Sequence, residues 1–436
     1  MTKSEYGIAV MAKTYREWTP EQNLMFPPSP LDLVEKDELA HFIRALVLEQ
    51  LDLREILSQY EEERGYPPFH PTMMTAVLLY GYCQGIYSSR RMARACRQRV
   101  DFMALTSMQK PDFRTINRFR QRHLKALGGL FGQVLRLCQK AGLVKLGHVA
   151  VDGTRIQANA SKRKSMSYSR MKKAEQDLKA EVDRWFAEAD RIDQEEDALY
   201  GADRSGDELP DWVSDKQERL KRIQQAKAEL EAEAKAEAEQ ESNPEKTRHE
   251  KKPTGKPKET AQRNFTDPES RLMKTSEGFI QGYNGQAAVD SKNQVIVAQT
   301  LTTSSNDMQQ MIPLLQQIRS NLGRQAKEVS ADSGYCSKRN LKALVQRHIR
   351  GYIATDRQRK VRNVNQWVQR MRRRLALGAK RSRYRLRKQI VEPVFGQIKD
   401  ARGFRRFLLR GKDKVTGEWS LICTAHNLLK LAAAAV

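Results

Sequence analysis

The chain has 436 residues and carries 78 Lys and Arg against 53 Asp and Glu, a formal net charge of +25. At 39% hydrophobic and 30% charged residues it is neither wholly disordered nor an ordinary membrane protein, and no apolar run reaches the ~18 residues that a spanning helix needs. A pI near 9.9 asks for a polyanionic partner, nucleic acid first.

Length implies two to three domains, enough to bury a core without disulfides or structural metals. The opening MTKSEYGIAVMAKTYREW has no secretory apolar core, so the expected compartment is the cytoplasm, associated with the nucleoid. The cysteines Cys83, Cys96, Cys138, Cys336 and Cys423 have neither zinc-ribbon nor thioredoxin spacing. They fit reduced thiols, and any metal is expected on carboxylates.

In chain order, residues 1–35 read as a loose arm with a Pro27–Pro28–Ser29–Pro30 break. Helical periodicity starts near Leu39 and runs to Glu63. After Pro67–Pro68 and His70–Pro71, a mostly apolar helix covers Met73 to Tyr87. Ser89 is a candidate N-cap for Arg90–Arg99, and Asp112 or Thr115 for Ile116–Leu127. A further helix, Phe131–Ala141, closes at Gly142. Residues 36–145 thus predict an all-helical domain. Its arginines Arg90, Arg91, Arg94, Arg97, Arg99, Arg114, Arg118, Arg120 and Arg122 fit either a DNA-reading face or a solvated one.

The period then changes. His148–Gly153 predicts a short strand ending in a carboxylate. Residues 162–262 are rich in Lys, Glu, Ala and Gln, with two long polar helices, Met171–Ile192 and Ser214–Glu241, around the interruption Gly201–Pro210. KPTGKPKETAQR is a flexible exit. This stretch reads as an insertion within a domain that runs from 146 to 436. Strands follow at Gly282–Asp290 and Gln294–Leu301, joined by a Ser291–Lys292–Asn293 turn. A helix, Asp307–Leu322, leads to a strand Glu328–Ala331 running into Asp332–Ser333–Gly334. Then come a helix Lys338–Arg347, a strand Gly351–Thr355, and helical segments near 384–400 and 418–434. Strand, insertion, hairpin, helix, strand, helix, strand, helix is an α/β order with a mixed sheet.

The charge is uneven. Residues 351–436 hold 22 basic and 5 acidic residues, net +17; residues 161–260 hold 22 and 25, net −3. The densest run is Arg370, Arg372, Arg373, Arg374, Lys380, Arg381, Arg383, Arg385, Arg387 and Lys388, where acidic partners at helical spacing are nearly absent, as in a nucleic-acid footprint.

Two strands end in Asp close to Gly, at Asp152–Gly153 and Asp332–Ser333–Gly334. Carboxylates at strand ends converge on one sheet edge, and the glycines are expected to let the chain turn and to leave room for a ligand. Beside so basic a surface, two facing carboxylates suit a magnesium site for phosphodiester chemistry. Taken singly, an Asp–Gly is an ordinary turn pair, and Asp290 and Asp307 are equally caps or turns. A third ligand is offered by Glu392, the only acid between Asp356 and Asp400. Lys388, Glu392 and Lys399 share one face of a continuous helix. The alternative is a plain intrahelical ion-pair site. Pro393 instead favours a helix that begins at Glu392.

The segments HPTMMTAVLLYGYCQGIYSSRRM, VAVDGTRIQANAS, NFTDPESRLMK, GYNGQAAVD, ADSGYCS, VEPVFGQIKDARGFRRFLLRG and EWSLICTAHNLLKL occur in an order that resembles the DDE transposases of bacterial insertion sequences. The similarity is to the group with an InsH-like N-terminal helical domain and a charged helical insert in the catalytic domain, and it spans about 30 to 434. It implies an RNase H-like catalytic domain with a long helical insertion, after an all-helical N-terminal domain. It implies that Asp152, Asp332 and Glu392 bind two Mg²⁺ ions, with Mn²⁺ able to substitute, and that Lys399 completes the catalytic set. A Tyr, Arg, Glu, Lys signature surrounds the Glu in related families. Lys399 matches its Lys, Lys388 stands where it has Arg, and Arg385 stands where it has Tyr, with Tyr384 one residue away. Tyr384, Arg387, Lys388, Arg405, Arg406 and Arg410 are the expected DNA contacts. The implied partners are the terminal inverted repeats and target DNA, bound by a homodimer on paired ends. The competing expectation is a non-catalytic DNA-binding protein derived from a transposase.

Overall fold

In a computed structural model the described residues are 29–60, 68–200, 211–240, 255–275, 278–355, 365–377 and 382–435. Most of the expected N-terminal arm, the Gly201–Pro210 interruption, the first residues of the exit linker, Lys380 and Arg381 lie outside them.

Among the described residues seven α-helices precede the first strand: α1 Leu39–Glu49, α2 Arg54–Leu57, α3 Pro71–Cys83, α4 Ser89–Gln98, α5 Val100–Thr106, α6 Phe113–Arg122 and α7 Leu124–Lys140. α3 starts with Pro71 at its first position, where the missing N–H costs nothing, and every residue from Met74 to Cys83 is buried. A helix apolar all round belongs inside, and α3 lies against α1, α5 and the last helix of the chain. Asp112 caps α6, accepting from the N–H groups of Arg114 at 2.6 Å and Thr115 at 3.0 Å. Ser89 does not cap α4; it is the helix's first residue, and Ser88 precedes it without a side-chain cap. Gly142 follows α7 with φ +70°, the left-handed turn that favours glycine after a helix.

The first strand, β1, spans His148–Gln157. It does not stop at Gly153 as expected, because it stays paired as far as Gln157. Next come β2 Ser165–Ser167, the long helices α8 Tyr168–Tyr200 and α9 Asp211–Gln240, and β3 Gln262–Asn264, which pairs back onto β2. Met171, Leu178, Ile223, Ala226 and Leu230 give α8 and α9 a small core of their own. Lys227–Glu175 at 2.8 Å and Lys216–Glu181 at 2.5 Å tie their polar faces. Arg263, nearly buried, anchors the root of the pair to Glu229 at 3.0 Å and Glu233 at 2.8 Å.

The sheet is completed by β4 Arg271–Thr275, β5 Gly278–Asp290, β6 Ile296–Thr302, β7 Glu328–Ala331 and β8 Arg350–Ile353. Its order is β4–β5–β1–β7–β8, with β6 beside the far half of β5. β5 is antiparallel to β1, β4 and β6, whereas β1, β7 and β8 run parallel. Val149, Ala150 and Val151 are all fully buried, as are Ala287, Ala288 and Val289. Since successive side chains face opposite sides, both faces of the sheet are covered. The covering helices are α10 Met311–Leu322, α11 Lys338–Gln346, α12 Gln366–Ala376, α13 Leu386–Gly396 and α14 Lys412–Ala432.

α14 joins the helical region to the sheet. It packs on α7, α3 and β6, and its polar residues are spent on the backbone of the sheet and its flanking loops. Asn427 accepts from Ile296 N and donates to Ile296 O, both at 2.8 Å. His426 Nε2 lies 2.8 Å from Gln294 O, and Trp419 Nε1 donates to Gln286 O. One continuous apolar core therefore runs from Val34 to Leu431. All five cysteines are buried free thiols.

Candidate active site

The parallel register of β1 and β7 pairs Val151 with Ala331. Asp152 within β1 and Asp332 just past the end of β7 are each the next residue, so they come to the same end of the two strands, and the Asp332 charge acts on Asp152. Asp332 caps a 3₁₀ turn at Ser333–Tyr335, accepting from Gly334 N at 2.8 Å.

Glu392 lies on α13, which packs against β1, β5 and β7. Arg387, one turn earlier, donates from Nη1 to Asp152 Oδ2 at 2.6 Å and from Nη2 to Glu392 Oε1 at 3.0 Å. Its Nε is buried with no partner. Burial pushes the Asp152 carboxyl up to about 7; the Arg387 guanidinium opposes this, and Asp332 and Asp307 add to it. Burial pulls Arg387 down, but Asp152, Glu392 and Asp332 outweigh it and hold the guanidinium above its usual range.

Neither expectation for Pro393 describes α13 fully. The helix neither begins there nor continues as an ordinary α-helix: Pro393 sits inside it, and a π turn, Gln397–Ala401, follows. Proline at 393 cannot donate to the carbonyl of Gln389. That carbonyl accepts instead from Gln294 Nε2 at 3.0 Å, so a residue of the β5–β6 turn repairs the defect beside Glu392.

Gly153 has a different task from the expected sharp turn. It is an extended strand residue opposite Gln286. A Cβ there would stand 2.3 Å from Gln286 Nε2, 2.8 Å from Asn284 Oδ1 and 2.9 Å from Asp307 Oδ1. Asn284 and Gln286 both donate to Asp307 Oδ1 at 2.7 Å, and the Tyr335 hydroxyl donates to Gln286 Oε1. Asp307 Oδ2 and Asp332 Oδ1 lie 3.2 and 2.8 Å from where a Cβ on Gly334 would stand. A fourth carboxylate thus joins the group, fixed by two buried amides. Composition hides it, because Asp307 sits in a loop with ordinary turn chemistry. The available signal was Asn284 and Gln286, two polar residues at alternate positions of a buried strand.

The remaining expected residues are spread wider. Lys399 Nζ donates to Arg155 O at 2.9 Å, holding the π turn against β1. Tyr384 lies in a 3₁₀ turn before α13 and acts electrostatically on Arg387. Lys388 is exposed. Arg405 pairs with Asp400 at 2.5 Å on the surface. Arg406 is exposed, and Arg410 donates from Nε to Asn159 O at 2.9 Å. In the helical region Arg120 is not a surface residue: it is 3% exposed and donates to Tyr87 O and Asn117 Oδ1, each at 2.9 Å. Arg90 lies over Phe113, and Arg122 over Tyr60.

The donor set suits a hard divalent cation. It offers carboxylate oxygens and no sulfur, and one resident cation, Arg387, offsets their repulsion. Among the described residues no three His, Cys, Asp or Glu side chains are grouped so that they could hold a metal ion.

Residues 217–428 match the family model of the transposase DDE domain, and residues 29–122 match that of a transposase domain (DUF772). The first match begins within α9 and includes Asp332 and Glu392; the second covers α1 to α6. No curated protein and no solved structure matches the chain. The DDE domain implies an RNase H-like fold, with which a helical N-terminal region followed by this mixed sheet agrees. Such enzymes generally use divalent metal ions. None of the described helices is long and apolar enough to cross a membrane. With both family models, in this order, the chain belongs to the DDE transposases of insertion sequences.

Proposed function

We propose that the protein binds the terminal inverted repeats of its own element and there catalyses metal-dependent DNA cleavage and strand transfer. The observation that carries this reading is that the parallel pairing of β1 and β7 brings Asp152 and Asp332 to one end of the two strands, with Glu392 joined to Asp152 through Arg387. Asp152, Asp332 and Glu392 would hold two Mg²⁺ ions, with Mn²⁺ able to substitute. When bound, such ions activate the attacking oxygen and stabilise the leaving oxygen of an in-line displacement.

The residues of the chain do the rest. The three carboxylates act as ligands and not as proton carriers. Arg387 balances their charge until DNA is seated, then turns its guanidinium, with its unpartnered Nε, to a phosphate. Lys399 keeps the π turn on β1, which fixes the reach of Glu392. Tyr384, Lys388, Arg405, Arg406 and Arg410 hold the backbone on either side. Water attack breaks a phosphodiester at the element's end and leaves a 3′-OH and a 5′-phosphate; the 3′-OH then displaces a 3′-oxygen in target DNA. A homodimer pairs two ends, and α8 and α9 form an insertion in the catalytic domain after β1.

Nicking of DNA carrying the element's terminal repeats tests this. Wild type should cut with Mg²⁺ and not with EDTA, while Asp152→Asn and Glu392→Gln should bind the ends and leave them whole. End binding with no cutting by wild type would instead identify a non-catalytic DNA-binding protein derived from a transposase.

A further inference from the structure

A second site lies at the far end of β1. A cleft of about 550 Å³ opens between Gln157–Lys164, the β4–β5 hairpin and the loop holding Arg406 and Arg410. Its walls are fixed by backbone. Gln157 N donates to Arg405 O at 3.2 Å, and Phe407 N donates to Gln157 O at 2.8 Å. Asn264 holds Ser161 O at 2.8 Å, and Phe265 N holds Lys164 O at 3.0 Å.

Lys162, Arg163, Lys164, Arg406 and Arg410 line it, and among the described residues no acidic one does. The three residues of the 162–164 turn and Arg406 are exposed, with no ion pair among the described residues. Opposed cations without counter-charges repel one another, and a chain of phosphates is the ligand that relieves this. One wall is aromatic: Phe279 is 54% exposed, paired across the hairpin with Lys274.

Cations alone would serve a duplex, whose bases are stacked on each other and show no ring face to a side chain. An exposed phenyl ring amid cations is instead the equipment of a site for unpaired nucleotides, where a base stacks on the ring and the backbone follows the charges. We propose that this cleft holds a single strand of DNA, with one unpaired base on Phe279. The choice of DNA rests on the transposase reading above. Gln157 lies five residues beyond Asp152, roughly 17 Å along the strand, so the cleft grips DNA away from the cut. It also gives the start of the 162–262 segment a role: the basic turn before α8 forms one lip.

The test is fluorescence anisotropy of the full chain with labelled dT15, rU15 and a duplex of the terminal repeat. Phe279→Ala should weaken dT15 at least 5-fold and the duplex less than 2-fold, as a lost stacking contact does. Lys162→Ala/Arg163→Ala/Lys164→Ala should weaken dT15 and flatten its salt dependence by up to ~2 in log–log slope. If both variants bind dT15 as wild type does while terminal DNA is still cut, the cleft assignment falls and the transposase reading stands. Binding of rU15 as tight as dT15 would overturn the commitment to DNA. If wild type binds neither dT15 nor the duplex, both readings fail.

Discussion

Arg387 and Asp152 are 235 residues apart in sequence and 2.6 Å apart in space, with side chains only 13% and 17% exposed. The same guanidinium holds Glu392 at 3.0 Å, so one cation stands between two of the three carboxylates that we propose as metal ligands.

Removing that cation should expose the competition. In Arg387→Ala, Asp152 loses its partner in a mostly buried setting, which costs about 3 kcal/mol. A divalent ion that binds only the folded site restores stability by mass action. Melting curves at pH 8 should show Arg387→Ala well below wild type without metal, and a larger upward shift with Mg²⁺ than wild type gives. Equal Mg²⁺ shifts would show that arginine and metal do not share a site.

Asp307 should matter although it lies outside the expected triad. Asp307→Ala leaves the amides of Asn284 and Gln286 without their acceptor and frees the loop beside Gly334. Positioning partners of metal-binding carboxylates are typically worth about 10- to 100-fold in activity. Cleavage of terminal-repeat DNA should fall by that order, with the Mg²⁺ concentration for half-maximal rate rising too. Unchanged metal dependence would confine Asp307 to a structural role.

Gly153→Ala probes the same network from the strand. The added methyl would stand 2.3 Å from Gln286 Nε2, and hydrogen bonds to Asp307 and Tyr335 fix that side chain, so overpacking should cost about 1–3 kcal/mol. A denaturant titration measures it. An unperturbed midpoint would mean that the network gives way without cost.

Stability should also depend on pH through Glu418. This residue is fully buried and accepts from Leu408 N at 3.0 Å and Leu409 N at 3.1 Å. Burial pushes its carboxyl from 4.5 up to about 7, against the pull of Arg120 and the two N–H donors. The folded state thus holds a proton that the unfolded chain releases earlier. The contribution is complete below about pH 4.5 and is lost as pH rises through 7, on the order of 3 kcal/mol in all. Glu418→Gln should therefore melt higher than wild type at pH 8 and nearly level with it at pH 5. His426, on the same helix, acts in the other direction: burial lowers it to about 3, so its contribution is lost as pH falls below its usual 6.5.

Sequence by itself determined the order of the main elements and marked the residues on which the proposed chemistry rests. Apolar runs and polar punctuation located α3, β5, β6, β7 and β8 to within about four residues, because local periodicity and capping act over one or two turns; α6 ends five residues before the expected Leu127, α7 begins seven before the expected Phe131, and β2, β3 and β4 were not expected. Asp152, Asp332 and Glu392 stood out through type and local setting, and the excess charge pointed to a polyanion. Tertiary structure decided what depends on register and packing. Pairing across 180 residues puts Asp152 beside Asp332. The freed carbonyl of Gln389 finds Gln294, and so Pro393 can sit within a helix. The cation that reaches the carboxylates is Arg387 and not Lys388, because the packing of α13 on β1 largely buries Arg387 and leaves Lys388 exposed. Arg120, one arginine among many in the sequence, is buried by the fold. Gly153 is explained by the far face of the sheet, where Asp307, Asn284 and Gln286 leave no space for a side chain; side chains meeting across strands are set by the global fold, and no window of sequence contains them.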